Sequence, residues 1–155
     1  MTLPTVTFRP ATLDDSDDIA DVLIASRSAF LTYAPSAHTD DEVHDYARTH
    51  LIPQTQVTVP VVDGRVVGVM ALKRAEGCGW VEQLFLRPEA VGRGIGSQLI
   101  EQAKAALGAP IRLWTFQQNV GARRFYQRHG FRVVTFTDGA GNEERCPDVL
   151  FEWGT

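Results

Sequence analysis

The sequence predicts an α/β fold: one domain over residues 1–155, in which helices flank a mixed antiparallel and parallel sheet. The length suits a domain that buries its own core without metals or disulfides. Segments with strand-like and helix-like periodicity follow in the order β-α-α-β-β-β-α-β-α-β-β. The Asp63-Gly64 pair between two β-rich runs is a strong hairpin signal, so we expect antiparallel pairing first and parallel crossovers later.

The first half of the chain is expected to hold two helices and four strands. In the first helix, residues 13–30, apolar residues share one face, and four aspartates crowd the end where the helix dipole favours negative charge. Residues 39–42 have the form of a capping box and open a second helix through Leu51, after a loop broken by Pro35. The expected strands are 5–9, 56–62, 65–73 and 78–86.

The second half begins with a glycine-rich turn and a helix. Residues 94–107 place apolar side chains on one face, and Gly108 is positioned to end the helix. Asn119 is a good N-cap for a further helix that closes at Gly130. The remaining strands are expected at 111–116, 131–136 and 149–153.

Composition and charge argue against several classes of protein. Fifteen basic and nineteen acidic residues give a net charge of −4, with Lys and Arg scattered among acids, so no nucleic acid partner is expected. No apolar run approaches the roughly 20 residues of a membrane helix, and the start lacks the pattern of a signal peptide. The two cysteines and four histidines show no metal-ligand spacing. We therefore expect a reduced, cytoplasmic protein without a metal site.

The turn at residues 91–97 places glycines after a strand and at the start of a helix. The first N–H groups of a helix lack intrahelical partners, and glycines remove the Cβ atoms that would keep an anion away from them. A dinucleotide fingerprint does not fit, because Ser97 stands where a glycine is needed, and the lysine of a P-loop is missing. On this segment alone, a phosphate site and a flexible turn with a helix cap both stay open.

Two motifs together resemble the GNAT superfamily of N-acetyltransferases. Residues 91–96, Val-Gly-Arg-Gly-Ile-Gly, resemble its acetyl-CoA motif Gln/Arg-x-x-Gly-x-Gly/Ala, with Val91 departing from the pattern. Residues 119–131 match every fixed position of its second motif, Asn-x-x-Ala-x-x-Phe-Tyr-x-x-x-Gly-Phe. One helix and one strand separate the two motifs, and the resemblance covers about residues 56–136. It implies a single-domain GNAT-like fold.

The resemblance implies an enzyme that transfers an acetyl group from acetyl-CoA to a primary amine by direct attack in a ternary complex. Tyr126 would protonate the departing thiolate, and Glu82 would remove the ammonium proton, directly or through water. Leu84 is expected on the same strand face as Glu82. The alternative roles are packing or cofactor contact for Tyr126 and an exposed ion pair for Glu82.

The resemblance also assigns residues to acetyl-CoA. Main-chain N–H groups of the glycine turn would bind the pyrophosphate, with Arg93 adding charge at the rim. A bulge near Glu82 would splay two strands and admit pantetheine as a pseudo-strand. The implied cofactor-binding residues are Leu84, Phe85, Leu86, Val91, Gly92, Arg93, Gly94, Ile95, Gly96, Ser97, Asn119, Ala122, Phe125 and Tyr126.

The acceptor side is less well defined by the sequence. The loop at residues 138–148 is expected to border it, with Glu144 or Asp148 facing a cationic substrate, or else to be a solvated hairpin loop. Trp80 and Trp114 are expected to pack in the sheet or to edge the acceptor cleft. The first two helices form this side in the superfamily, and the polar candidates there, with surface positions as the alternative, are Tyr33, His38, His44 and Tyr46.

Two functions from different classes stay open. One is the N-acetyltransferase, and the other is a catalytically silent acyl-CoA-binding or sensing module of the same fold. Tyr126 and the intact second motif favour the enzyme, whereas Val91 leaves room for the sensor. The acceptor, a small-molecule amine or a protein amino group, is left open, as are the size of the acyl group and a homodimer of the kind common in the family.

Overall fold

The computed structural model describes residues 5–34 and 36–154, so the loop break expected at Pro35 lies outside the described residues. The strands are β1 (Val6–Pro10), β2 (Gln56–Val62), β3 (Arg65–Val66), β4 (Gly68–Ala75), β5 (Cys78–Leu86), β6 (Ile111–Phe116), β7 (Arg132–Thr137) and β8 (Asp148–Trp153). The α-helices are α1 (Ser16–Phe30), α2 (Asp40–Tyr46), α3 (Ile52–Gln54), α4 (Ile95–Leu107) and α5 (Val120–Arg128). A π-helical segment, Ala47–Leu51, joins α2 to α3.

The strands form one sheet in the order β1-β2-β4-β5-β6-β8-β7, with the short β3 beside β2. Neighbouring strands are antiparallel except for the parallel pair β5 and β6. The predicted mixed sheet is therefore confirmed. Only the connection through α4 joins parallel neighbours, because β8 lies between β6 and β7 and the connection through α5 passes over it.

Helices cover both faces of the sheet, and each face has its own apolar cluster. Leu99 and Ile100 of α4 are fully buried against one face. Ile19 and Val22 of α1 are fully buried against the other. Complete burial of such side chains contributes about 1.5–3 kcal/mol each. The helical spacing of apolar residues therefore predicts correctly which faces of α1 and α4 are buried.

Local signals in the sequence set several ends of elements. Thr39 Oγ1 accepts a hydrogen bond from the Glu42 N–H at 3.2 Å, and the Glu42 carboxylate accepts one from the Thr39 N–H at 3.0 Å. The predicted capping box at the start of α2 is thus confirmed. Gly108 follows the last residue of α4, as predicted. None of the described helices is long and apolar enough to cross a membrane.

The strand predicted at residues 65–73 is divided in the structure. β3 ends at Val66, and β4 begins at Gly68 and continues to Ala75. Pro60 in the facing strand has no N–H to donate, which interrupts the ladder at this point. Its carbonyl instead accepts a hydrogen bond from Val67 N–H at 3.0 Å. The prediction of one continuous strand was wrong because it ignored this missing donor.

Candidate active site

β5 and β6 diverge in the middle of the sheet. Among the described residues their pairing is limited to Gly79 with Ile111 and Trp80 with Arg112. Beyond these pairs a cavity of about 120 Å³ is lined by residues of both strands and of α5. We call it the central cleft. Its lining includes Val81, Glu82, Gln83, Leu84, Phe85, Leu113, Trp114, Thr115, Phe116, Asn119, Ala122 and Tyr126.

β5 carries a one-residue bulge at Glu82. The residues on either side, Val81 and Gln83, pair with consecutive residues of β4, so Glu82 is the extra residue. Gln83 donates a hydrogen bond to the Tyr46 hydroxyl at 3.1 Å on the α2 side, whereas Leu84 packs in the cluster beneath α4. The expectation that Glu82 and Leu84 share a face is therefore wrong, because the bulge interrupts the alternation of the strand.

A second cavity of about 400 Å³, the cofactor cavity, extends along α5 to the start of α4. Its lining contains all the predicted cofactor-binding residues except Arg93 and Ile95. Arg93 is exposed, and Ile95 is buried in the core. Burial restricts Ile95 to a main-chain contribution at this cavity, the exposed Arg93 side chain is consistent with the predicted charge at the rim, and the binding roles of the whole set stay predictions.

Five further residues line the cofactor cavity that sequence reasoning did not identify: Ser26, Phe30, Leu31, Gly121 and Arg128. The first three come from the end of α1, far from both motifs in the sequence. The apolar spacing of the first helix places Phe30 on the same face as Ile19 and Val22, yet 44% of its surface is exposed. Ser26 donates a short hydrogen bond to the Leu86 carbonyl, which ties α1 to the end of β5. The packing of α1 against β5 brings Ser26, Phe30 and Leu31 to the cavity.

The glycine turn has the geometry that an anion site requires. Gly92 and Gly94 have φ values of +77° and +80°, and Gly94 is the N-cap of α4. A Cβ atom on either glycine would meet no heavy atom within 4 Å, so the space above the turn is open. The helix makes its first hydrogen bond from Gln98 N–H to Gly94 O at 3.1 Å, which leaves the preceding N–H groups free of intrahelical acceptors. These features fit the pyrophosphate of acetyl-CoA.

Tyr126 lies where the central cleft and the cofactor cavity meet, because it lines both. Its ring packs against three phenylalanines, with centroids 5.2 Å from Phe125, 5.6 Å from Phe131 and 6.1 Å from Phe151. Burial raises the pKa of the Tyr126 phenol well above its ordinary value. The phenol therefore holds its proton at neutral pH and is available as a proton donor.

Asn119 combines a structural position with a place at the site. Its Oδ1 accepts a hydrogen bond from Ala122 N–H at 3.2 Å, which is the N-cap role predicted for it. The same residue lines both the central cleft and the cofactor cavity. The second motif thus begins by fixing the start of α5, and this sets the position of Tyr126 about two turns further along the helix.

A third cavity of about 750 Å³ lies on the α1 and α2 side of β5 and is rich in carboxylates; we call it the acidic cavity. It shares Glu82, Gln83 and Phe85 with the lining of the central cleft. Its carboxylates are those of Glu42, Asp45, Glu82, Glu143 and Glu144, and its basic or imidazole side chains are those of Arg27, His38 and His50.

His38 joins two separate segments at the rim of the acidic cavity. Its Nε2 is 2.8 Å from the Glu143 carboxylate, and its Nδ1 is 3.6 Å from that of Glu42. The hydrogen bond with Glu143 is the main reason why the pKa of His38 lies above its ordinary value. Three other carboxylates have cationic partners: Glu82 is 3.0 Å from Lys73, Glu144 is 3.5 Å from Arg27, and Asp45 pairs with Arg48.

A fourth cavity of about 510 Å³, the aromatic cavity, lies between β6 and the loop before β8. Trp114 is 47% exposed and lines both this cavity and the central cleft, so it is not buried in the sheet, and its place at the acceptor cleft stays a prediction. Both predicted acidic residues of the loop line cavities. Glu144 lines the acidic cavity and the aromatic cavity, and Asp148 lines the aromatic cavity. Trp80 is partly buried and donates to the Ala75 carbonyl at 3.2 Å.

The predicted acceptor-side residues separate into two groups. His38 and Tyr46 line the acidic cavity. His44 faces α1 instead, 2.7 Å from Asp17, and Tyr33 packs edge-on against Phe116 with centroids 6.2 Å apart. Within the described residues, no group of three or more His, Cys, Asp or Glu side chains is placed to hold a metal ion.

The known proteins with similar sequences are named as N-acetyltransferases. The family model described as Acetyltransferase (GNAT) family matches residues 23–131. An uncharacterized N-acetyltransferase of Archaeoglobus fulgidus is 32% identical over 148 residues, covering 88% of this chain and 99% of that protein. An aminoalkylphosphonate N-acetyltransferase of Salmonella typhimurium is 28% identical over 144 residues, covering 86% of this chain and 90% of that protein.

The fold is also found among solved structures. The PaiA N-acetyltransferase of Thermoplasma acidophilum, solved in complex with coenzyme A, superposes with a TM-score of 0.76 at 18% identity, covering 97% of this chain and 99% of that one. The family match spans more than half of the chain and includes the glycine turn and all of α5. The chain therefore belongs to the GNAT family and is an N-acetyltransferase that uses acetyl-CoA as its acetyl donor.

Proposed function

We propose that the protein acetylates the primary amine of a small molecule that carries a second positive charge, by direct attack of the amine in a ternary complex. The observation that carries this proposal is the position of the central cleft. Glu82 and Tyr126 both line it, and it shares residues with the cofactor cavity on one side and the acidic cavity on the other.

Glu82 is the candidate for removing the proton of the ammonium group. It lines the acidic cavity as well as the central cleft, so an amine entering from the acidic cavity meets it first. Its carboxylate is 3.0 Å from the Lys73 ammonium. The bulge directs this residue away from the strand ladder and toward the incoming amine.

Tyr126 is the candidate for the opposite proton transfer. As the amine nitrogen bonds to the acetyl carbon, the carbon–sulfur bond breaks and the sulfur takes the electron pair. Tyr126 gives the sulfur a proton, Glu82 keeps the proton removed from the ammonium group, and the second proton that nitrogen loses as the amide forms reprotonates the tyrosinate. A thiolate departing into a buried site has a raised proton affinity, because desolvation disfavours its charged form. A buried phenol is therefore a suitable donor despite its own raised pKa.

The charge of the acidic cavity supports a cationic acceptor. Five carboxylates line it; Arg27, Arg48 and Lys73 pair with three of them, and the other two, Glu42 and Glu143, have only His38 as a shared ion-pair partner in the described structure. A phosphonate of the kind named for the Salmonella relative would meet this excess of negative charge. The cavity volume of about 750 Å³ is in the range of small-molecule sites. A short diamine is the simplest acceptor that satisfies both observations.

The test follows release of free thiol from acetyl-CoA with matched amines: 1,5-diaminopentane, pentylamine, 2-aminoethylphosphonate and a lysine-containing peptide. We expect kcat/KM for the diamine to exceed that for pentylamine by about tenfold, which corresponds to about 1.4 kcal/mol from one partly desolvated ion pair. In Glu82→Gln the low-pH limb of the kcat/KM profile should disappear. Equal values for diamine and pentylamine, or a preference for the phosphonate or the peptide, would contradict the acceptor class.

The other outcomes separate chemistry from binding. An unaltered pH profile in Glu82→Gln would remove Glu82 as the base while leaving the acceptor class intact. Tight binding of coenzyme A with no thiol release for any amine would support the silent binding module in place of the enzyme. Parallel lines in double-reciprocal plots at varied acetyl-CoA would indicate an acetylated enzyme and contradict direct attack.

A further inference from the structure

Three side chains form a hydrogen-bonded chain behind the glycine turn. Ser97 Oγ is 3.0 Å from His129 Nε2, and His129 Nδ1 is 3.3 Å from the Glu101 carboxylate. Ser97 lines the cofactor cavity, whereas His129 is absent from its lining and its side chain is only 17% exposed. The histidine therefore contacts the cofactor cavity through the serine hydroxyl.

The partners of His129 determine which ring nitrogen carries the hydrogen. Glu101 is also 3.1 Å from the Lys104 ammonium, and hydrogen bonding to Lys104 is the main reason why the pKa of Glu101 lies below its ordinary value. An ionised carboxylate can only accept hydrogen bonds. His129 Nδ1 must therefore carry a hydrogen, and in the neutral ring Nε2 has a lone pair and can only accept.

The charge of His129 then decides what Ser97 offers to an anion. With neutral His129, the Ser97 hydroxyl donates its hydrogen to Nε2, and only oxygen lone pairs remain for a ligand in the cavity. With protonated His129, Nε2–H donates to Ser97 Oγ, and the hydroxyl hydrogen is released. The serine can then donate to a phosphate oxygen beside the N–H groups at the start of α4.

We propose that His129 is a positioning residue that couples binding of the coenzyme A pyrophosphate to uptake of one proton, acting through Ser97. This inference rests on the placement of the pyrophosphate at residues 91–97. An anion in the cavity favours the protonated ring in two ways: it attracts the positive charge, and it accepts the hydrogen that protonation releases from Ser97.

Some of the other charged groups around His129 favour its protonation and others oppose it. Glu101 of α4 and the carboxyl-terminal end of α5, where His129 is the C-cap, favour the imidazolium. Lys104 of α4 opposes it, although its ammonium is held by the His129 carbonyl at 2.7 Å and lies over the Trp153 ring of β8. Arg128 of α5 lines the cofactor cavity and adds positive charge there. A bound pyrophosphate shifts this balance toward the protonated form.

The test measures binding of dephospho-coenzyme A by calorimetry from pH 6 to pH 8.5 in buffers of different ionisation enthalpy. This probe keeps the pyrophosphate and lacks the 3′-phosphate, which would itself titrate near pH 6. For the unaltered protein we expect uptake of up to one proton, and a Kd that rises with pH by at most about tenfold per unit.

Two variants test whether this coupling depends on the side chains of His129 and Ser97, and a third serves as a control. In His129→Gln the side chain does not titrate, so the Kd should be independent of pH; because the amide can donate to Ser97 but carries no charge, the Kd should lie between the low-pH and high-pH values of the unaltered protein. Ser97→Ala should reduce the proton uptake, since only the attraction between the anion and the imidazolium charge is left, and should weaken binding throughout. His44→Gln, a matched change on α2 outside the cofactor cavity, should keep the pH dependence of the unaltered protein.

Two results would overturn the proposal and are distinguishable from failure of its premise. Binding without proton uptake in the unaltered protein would do so, and so would the same pH dependence in His129→Gln and the unaltered protein. Thermal unfolding of both variants shows whether they are folded, and Ser97→Ala alone suffices if His129→Gln is not. Absence of binding in every protein at every pH would overturn the pyrophosphate placement as well.

Discussion

The cofactor cavity and the acidic cavity differ in how the chain builds them. The cofactor cavity takes most of its lining from the glycine turn and α5, two contiguous stretches, and offers glycine main chain and apolar rings. The acidic cavity draws on α1, α2, β5 and the loop before β8, and offers charged side chains. A site made of main chain depends on backbone geometry, whereas a site made of side chains depends on which distant segments meet.

This difference separates the donor from the acceptor in the proposed reaction. Backbone N–H groups at a helix start suit any pyrophosphate and need few particular side chains, which is why Val91 can replace the Gln or Arg of the family motif. The acidic cavity depends instead on individual carboxylate side chains from several segments. Substitutions on the two sides should therefore give different kinetic signatures.

The largest effect is expected for Tyr126→Phe, at the border of the two regions. Removal of the proton donor should lower kcat by about 100-fold, since a positioned general acid contributes at least this much. The Kd of coenzyme A should change less than about threefold, because the ring packing is retained. Tyr33→Phe is the matched control, since Tyr33 lines none of these cavities and its hydroxyl has no partner among the described residues. A loss of kcat below threefold would exclude Tyr126 as the acid.

A smaller effect on binding should follow from Gly94→Ala in the cofactor region. A Cβ atom at a φ of +80° costs about 1–2 kcal/mol of stability and displaces the N–H groups of the turn, so the Kd of coenzyme A should rise about tenfold. Gly77→Ala imposes the same strain at a φ of +77° in the turn between β4 and β5. Denaturant unfolding should give similar losses for both, while calorimetry detects weaker binding only for Gly94→Ala. Equal binding losses would contradict the role of the turn.

The smallest effect is expected at the rim of the acidic cavity. The raised pKa of His38 means that its bond to Glu143 is fully present below the ordinary histidine pKa and is lost as the pH rises through the higher folded value. Above that pH, Glu42 and Glu143 are free to attract a cationic acceptor. The KM of a diamine should therefore fall with rising pH, by about threefold, and His38→Gln should remove this dependence. Retention of the dependence in His38→Gln would assign it to another group.

The sequence predicts the cofactor half of the molecule better than the acceptor half. The periodicity of α4, the N-cap at Asn119 and the glycine turn are local signals, and the structure places each where the sequence predicts it. The GNAT resemblance rests on the same segments. Local signals and contiguous motifs thus identify the family and the cavity that faces the glycine turn.

The features that were missed depend on contacts between distant segments. The bulge that turns Glu82 away from Leu84 follows from the register between β4 and β5, which alternation within one strand cannot reveal. Phe30 lines the cofactor cavity because α1 packs beside the end of β5. The meeting of His38 with Glu143 requires the loop before β8 to reach the start of α2. None of these contacts has a signature within its own segment.

The divergence of β5 and β6 would also make the stability of the folded protein depend on the supply of coenzyme A. Main-chain groups along this seam lack the strand partners that the middle of a sheet normally provides, and an unpaired edge of this kind invites pairing with other chains. A pantetheine arm bound in this seam, as the family resemblance implies, would fill it only in the folded state. Ligand at about 100 times its Kd adds about 2.7 kcal/mol to the stability of such a protein. A cell short of coenzyme A would thus hold a less stable and more aggregation-prone form of this enzyme.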